Sequence, residues 1–205
     1  MLHQFPNNPG YLLYKLTEEE LAPIWAEVNR YPESGSAPAL HTDADQRDLY
    51  LKDSHDYIQQ LVGPYVGAYV EGFGYGLHLN RVDCGQSLAL NRAWVTFQRR
   101  GDFNPAHNHR GQVSFVIWLR IPYSFADETA HAQRSQLGQN NRHLNGDFHF
   151  QWPDTTGLLR EHSMGADRSL EGHICVFSSN LHHQVYPYWS TDAIRITVSG
   201  NWGVA

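Results

Sequence analysis

A chain of 205 residues, 41% apolar and 18% charged, is large enough to bury a core and too apolar to remain disordered. Its 15 Lys and Arg stand against 21 Asp and Glu, and a net charge of −6 has the wrong sign for bulk attraction to nucleic acid. No apolar run approaches the roughly 20 residues of a membrane-spanning helix, and Met1 to Gly10 lacks the basic-then-apolar order of a secretory signal, so a single cytoplasmic domain is expected.

Thr17 followed by Glu20 has the spacing of a capping box and predicts a first helix carrying Leu21, Ile24, Trp25 and Val28 and ending near Tyr31 and Pro32. Glu33 to Asp45 reads as a connector. A second helix is expected from Asp53 or Ser54, its apolar face being Ile58, Leu61, Val62, Tyr65, Val66 and Tyr69, with Pro64 kinking or splitting it. From Leu88 the texture changes. The segments Trp94–Gln98, Val113–Ile121, Phe148–Trp152, Ile174–Phe177, His183–Tyr186 and Ile194–Val198 are β-branched or aromatic and are separated by Gly, Pro, Asn and Asp, which predicts an antiparallel sandwich or barrel. Residues 1–87 thus read as a helical support for a β core over 88–205. The polar stretch Tyr123 to Asn145 reads as a mobile lid. Cys84 and Cys175, far apart, read as reduced core thiols.

Thirteen histidines are the compositional oddity. In Phe103-Asn104-Pro105-Ala106-His107-Asn108-His109, an extended backbone puts His107 and His109 on one face, with Cα atoms about 6.6 Å apart, so that two imidazoles converge on one ion. A third ligand is available at His183, where a strand restarts after a Ser-Ser-Asn turn; His182 points the other way. Neutral imidazoles suit Fe(II), Zn(II), Cu(II) or Ni(II). In Ile194 to Asn201, alternation separates Ile194, Ile196 and Val198 from Arg195, Thr197, Ser199 and Asn201. Either that polar face is the outside of an edge strand, or Arg195 turns back toward the His183 strand and grips the carboxylate of an anion that also reaches the metal. Gln98 shares a face with Trp94 and Thr96 and is a candidate contact for that anion. Arg99 and Arg100 form a basic pair beside the site and read as a solvated turn or an anion guide; Asp102 and Asp147 lack ligand spacing.

The ordered blocks Trp94 to Gln98, Phe103 to His109, Ser114 to Ile117 and Val185 to Asn201 resemble those of the Fe(II)/2-oxoglutarate-dependent oxygenases, above all those encoded by tailed phages of cyanobacteria. The resemblance implies a mainly β fold, a double-stranded β-helix or jelly roll of cupin-like barrel type, with the N-terminal helices packed outside. It implies Fe(II), 2-oxoglutarate and O2 as cofactor and co-substrates, His107, His109 and His183 as metal ligands, and Arg195 and Thr197 as the grip on the far carboxylate. His109 stands where the superfamily has Asp or Glu. Cupin dioxygenases also use three histidines, and Gly101 to His109 matches their Gly-x5-His-x-His spacing, although Val113 and Ser114 stand where their Glu belongs. A three-His metalloenzyme that does not use 2-oxoglutarate is therefore an alternative, as is a non-catalytic jelly-roll module.

Overall fold

The computed structural model describes residues 10–31, 49–73, 87–135, 144–154 and 156–205. Cys84 and the connector expected over 33–45 lie outside them. Thr17 and Glu20 form the capping box, the Thr17 hydroxyl accepting the Glu20 N–H at 3.2 Å and the Glu20 carboxylate accepting the Thr17 N–H at 2.8 Å. Helix α1 (Glu18–Val28) follows. Helix α2 (His55–Phe73) is continuous rather than split. Pro64 lies on its exposed side, as does Gln60, the residue whose carbonyl would otherwise take its N–H, while Val62 and Val66 to either side are buried.

Among the described residues nine strands form two antiparallel sheets: β1 (Tyr11–Lys15), β2 (Leu88–Gln98), β3 (Asn104–His107), β4 (Val113–Arg120), β5 (Phe148–Pro153), β6 (Leu159–Ser163), β7 (His173–Ser178), β8 (His182–Val185) and β9 (Arg195–Val204). The major sheet has the order β1-β7-β4-β9-β2, the minor sheet β3-β8-β5-β6. This is the double-stranded β-helix, with α1 and α2 packed on the outer face of the major sheet. Three strands, β1, β3 and β6, come from segments without the β-branched and aromatic runs that mark the others.

Two apolar layers follow from strand alternation. Phe115 and Ile117 on β4, Ile174 and Val176 on β7, and Ile196 and Val198 on β9 pack against Ile24, Ile58 and Val62 of the helices. Val116, Trp118, Cys175 and Phe177, pointing the other way, meet Phe148 and Phe150 of the minor sheet. Strand β4 is buried from Val113 to Leu119, and apolar there except for Ser114, because both of its faces are covered. Cys175 is a buried free thiol whose pKa is pushed far up by burial.

The stretch expected as a lid is described only in part, and that part is not irregular. Helix α3 (Phe125–Ser135) occupies its first half, with Ser124 and Asp127 exchanging hydrogen bonds at its start. The fully buried Glu128 accepts the N–H groups of Trp189 at 2.9 Å and Ser190 at 2.8 Å, which fastens α3 to the turn before β9. Residues 136–143 lie outside the described set. Among the described residues no helix is long and apolar enough to cross a membrane.

Candidate metal centre and active site

His107 on β3 lies opposite His183 on β8 in the strand register, so the two imidazoles emerge side by side from the minor sheet. His109 follows after the end of β3. Its N–H donates to the carbonyl of Ser179 at 2.9 Å, and the next turn is drawn under β9 by a bond from the Gln112 N–H to the Trp202 carbonyl at 2.7 Å. Gly111 makes this path possible: its φ is +124°, and a Cβ there would stand 2.8 Å from the Trp202 oxygen.

The three rings converge. Their centroids are 4.3 Å apart for His107 and His183, 4.9 Å for His109 and His183, and 5.0 Å for His107 and His109. One ligand atom from each lies within 4.8 Å of the other two. The Nδ1 of His107 is 2.7 Å from the Pro105 carbonyl and that of His183 is 3.0 Å from the Leu181 carbonyl. A carbonyl only accepts, so each Nδ1 carries its proton and each Nε2 offers a lone pair. Burial, the largest cause in all three, lowers the imidazole pKa values, that of His109 to about 3 and that of His183 well below its ordinary value. Phe148 stacks on His183 at 5.4 Å and 17°, Phe177 meets it edge-on at 5.0 Å, and the Trp94 ring abuts His109 at 5.6 Å. Three uncharged, pre-oriented imidazoles fit a divalent first-row metal ion.

These histidines share a cavity of about 360 Å³ with Gln98, Thr197 and Arg195. Strand β9 runs between β4 and β2, so its polar face is no outer edge but the wall of this cavity. Arg195 is 1% exposed. One of its Nη groups donates to the Tyr123 hydroxyl at 3.2 Å and the Gly146 carbonyl at 3.3 Å, whereas Nε has no partner. No carboxylate pairs with it among the described residues. The Tyr123 hydroxyl itself donates to the Gly146 carbonyl at 2.5 Å, and burial raises its pKa to about 12, so it remains a phenol. Gly146, at φ +75°, lies against the Tyr123 ring, where a Cβ would approach to 2.4 Å. A buried guanidinium facing a phenol and a carbonyl through one Nη, with its Nε and second Nη making no such bond, fits a carboxylate that comes from a ligand.

Of the other candidates, Gln98 turns its amide nitrogen to the Asp102 carbonyl at 2.8 Å and lies opposite Arg195 in the register. Arg100 pairs with Asp192 at 3.2 Å on the surface, which leaves the 99–102 turn as the solvated feature it resembles. Asp102 lines the cavity with its carboxylate accepting the Arg99 N–H, and the buried Asp147 accepts from Ser163, Ala166 and Phe148, so neither joins the three histidines. His182 is exposed. Tyr123 and Tyr188, stacked at 4.7 Å and braced against Arg195 and its strand, were not apparent from spacing, because they reach the site from two loops, after β4 and before β9, that are far apart in sequence and meet at one end of the sandwich.

Residues 92–201 match the model of a protein family described as "Putative 2OG-Fe(II) oxygenase". No curated protein matches the chain. Among solved structures, a prolyl-4-hydroxylase from Pseudomonas putida superposes with a TM-score of 0.56 at 14% identity, over 96% of this chain and 93% of that one. A 2OG-Fe(II) oxygenase family oxidoreductase from Burkholderia pseudomallei gives 0.54 at 16%, over 95% and 85%. The viral collagen prolyl hydroxylase of Paramecium Bursaria Chlorella virus-1, in complex with 2OG, gives 0.53 at 10%, over 98% of each chain. At such identities the likeness carries the barrel and not the substrate. With more than half of its length matched, the chain belongs to the 2OG-Fe(II) oxygenases, enzymes that work with Fe(II) and 2-oxoglutarate.

Proposed function

We propose that this chain is a single-domain hydroxylase in which His107, His109 and His183 hold Fe(II) while Arg195 holds the far carboxylate of 2-oxoglutarate, with Thr197 and Gln98 lining the same seat. The observation that carries this reading is the buried Arg195, which lacks an anionic partner among the described residues and shares one cavity with three neutral imidazoles. When bound, Fe(II) and 2-oxoglutarate supply the oxidation of a C–H bond by O2, with 2-oxoglutarate leaving as succinate and CO2. The protein supplies position and charge. His107 and His183 keep their protons on Nδ1, bonded to backbone carbonyls, and so present Nε2 in fixed orientation. Three neutral ligands in place of two and a carboxylate leave the ion its full double charge, and Arg195 adds one more, a field suited to a dianion. Phe148 and Phe177 cover His183, and Trp94 covers one side of His109, which lowers the local dielectric and strengthens those electrostatic contacts. The alternative of a three-His cupin enzyme leaves Arg195 without a task. The ordered blocks from Trp94 to Asn201 support a place among tailed-phage oxygenases, and with it the cytoplasm of an infected cell. Anaerobic titration of the Fe(II) protein with 2-oxoglutarate is expected to develop a visible charge-transfer band, and aerobic incubation to yield succinate. Absence of both overturns the proposal.

A further inference from the structure

The β2 side chains that face the cavity, Trp94, Thr96 and Gln98, belong to a period-two row that continues outward to Arg92. The exposed guanidinium of Arg92 is held rather than free. It donates to the Tyr50 hydroxyl at 3.0 Å, and its central carbon lies 5.9 Å from the Tyr50 ring centroid and 5.8 Å from that of Trp94. No carboxylate pairs with it among the described residues. The Trp94 indole touches both it and His109, and its charge adds to the lowering of that imidazole's pKa by burial and by His107. On its other side, a cleft of about 330 Å³ is lined by Lys52, His55 and Asn91, and the acid on its rim, Asp56, faces His55 at 3.3 Å.

We propose that Arg92, braced between Tyr50 and Trp94, the latter a wall residue of the metal cavity, binds an anionic group of the prime substrate, a carboxylate or a phosphoryl, and so selects acids for oxidation. The inference rests on the oxygenase reading for what lies deeper in the cavity. Arg92 at one end of that row and Arg195, across from Gln98 on β9, at the other are two guanidiniums that one small acid does not serve together. Gln98 is opposite Arg195 and Arg92 opposite Asn201, so six residues of strand, about 20 Å, separate the two positions. A five-carbon diacid seated at Arg195 leaves Arg92 free for a second anion. Stacking between two rings lowers the entropy lost when the guanidinium grips, and its planar fork suits a bidentate oxyanion. The residue is thus specificity-determining: it selects what reaches the metal and takes no part in the oxidation.

The test uses Zn(II)-loaded protein saturated with 2-oxoglutarate, labelled with 15N at tryptophan, and titrated separately with inorganic phosphate and with acetate. The expected result is a saturable shift of the Trp94 indole N–H signal, with the tighter anion identifying the phosphoryl or the carboxylate class. Replacing Arg92 by Gln should weaken that response roughly tenfold, as removal of one charge-assisted pair does, and leave 2-oxoglutarate binding unchanged. Arg92→Lys, which keeps the charge but not the planar fork, should fall between the two. No saturable shift with either anion, or an equal shift in Arg92→Gln, overturns the proposal. Should 2-oxoglutarate fail to bind while phosphate still moves Trp94 through Arg92, the co-substrate reading falls and the anion site stands.

Discussion

A guanidinium that is 1% exposed and faces only a phenol, a carbonyl and an empty bond direction at Nε weakens the resting fold, because its charge is desolvated without an anion to offset it. Replacing Arg195 by Met, close in length and uncharged, is expected to raise the stability of the ligand-free protein by about 1–2 kcal/mol, roughly 2–8 °C in Tm. The same variant should lose 2-oxoglutarate binding by more than about a hundredfold, since a charged hydrogen-bonded pair is removed from a buried site. Thermal melts and calorimetric titration check the two halves, and a variant that is less stable and still binds refutes the argument. At this scale the sequence was readable where chemistry is local. His107 and His109 are two apart on an extended segment, and Arg195 alternates with isoleucines. Tyr123, Tyr188 and the Gly146 carbonyl were not readable, because they meet Arg195 only through tertiary packing between distant turns.

Among the elements, the junction between the helices and β2 depends on one carboxylate. Glu27, at the end of α1 and 4% exposed, accepts the N–H groups of Lys52 at 2.9 Å, Asp53 at 3.2 Å and Ser54 at 2.7 Å, and the Ser54 hydroxyl at 2.5 Å. Burial opposes its ionisation, but these hydrogen bonds outweigh burial and hold its pKa below the ordinary value. Leu51 donates in turn to the Ala93 carbonyl, and Tyr50 bridges to Trp94, so Glu27 helps to place this wall residue of the cavity from a distance. Glu27→Ala should cost about 3 kcal/mol by orphaning those donors, and hydrogen exchange at 52–58 should quicken more than at β4. Uniform exchange across both segments would contradict this. The strands with β-branched runs and the capping box of α1 were legible in the residues themselves. Strand β1 was not, because Tyr11–Lys15 is a strand only through its pairing with β7, and α3 was missed because its weak apolar pattern masked the Ser124 and Asp127 start signal.

For the molecule as a whole, three imidazoles, His183 buried and His107 and His109 half-buried, couple folding to acidity. Above about pH 6.5 they are neutral in folded and unfolded chains alike and contribute nothing. Below it the unfolded chain binds protons that the folded one refuses, so stability of the metal-free protein declines as pH falls, by up to about 1.4 kcal/mol per pH unit for each histidine. Melting from pH 7 to 5.5 should show a steady fall in Tm, shallower in His183→Gln. Metal at a hundred times its dissociation constant should restore about 2.7 kcal/mol, and chelation should remove it. A flat metal-free profile would contradict the burial of these rings. The arrangement of the major sheet also bears on how the molecule is made. Strand β9, the last described element in the chain, lies between β4 and β2, which have no other bond to each other. On the ribosome, both must wait with open backbone edges until residues 195–204 have emerged, and that interval is when the nascent polypeptide is most exposed to mispairing and to chaperones.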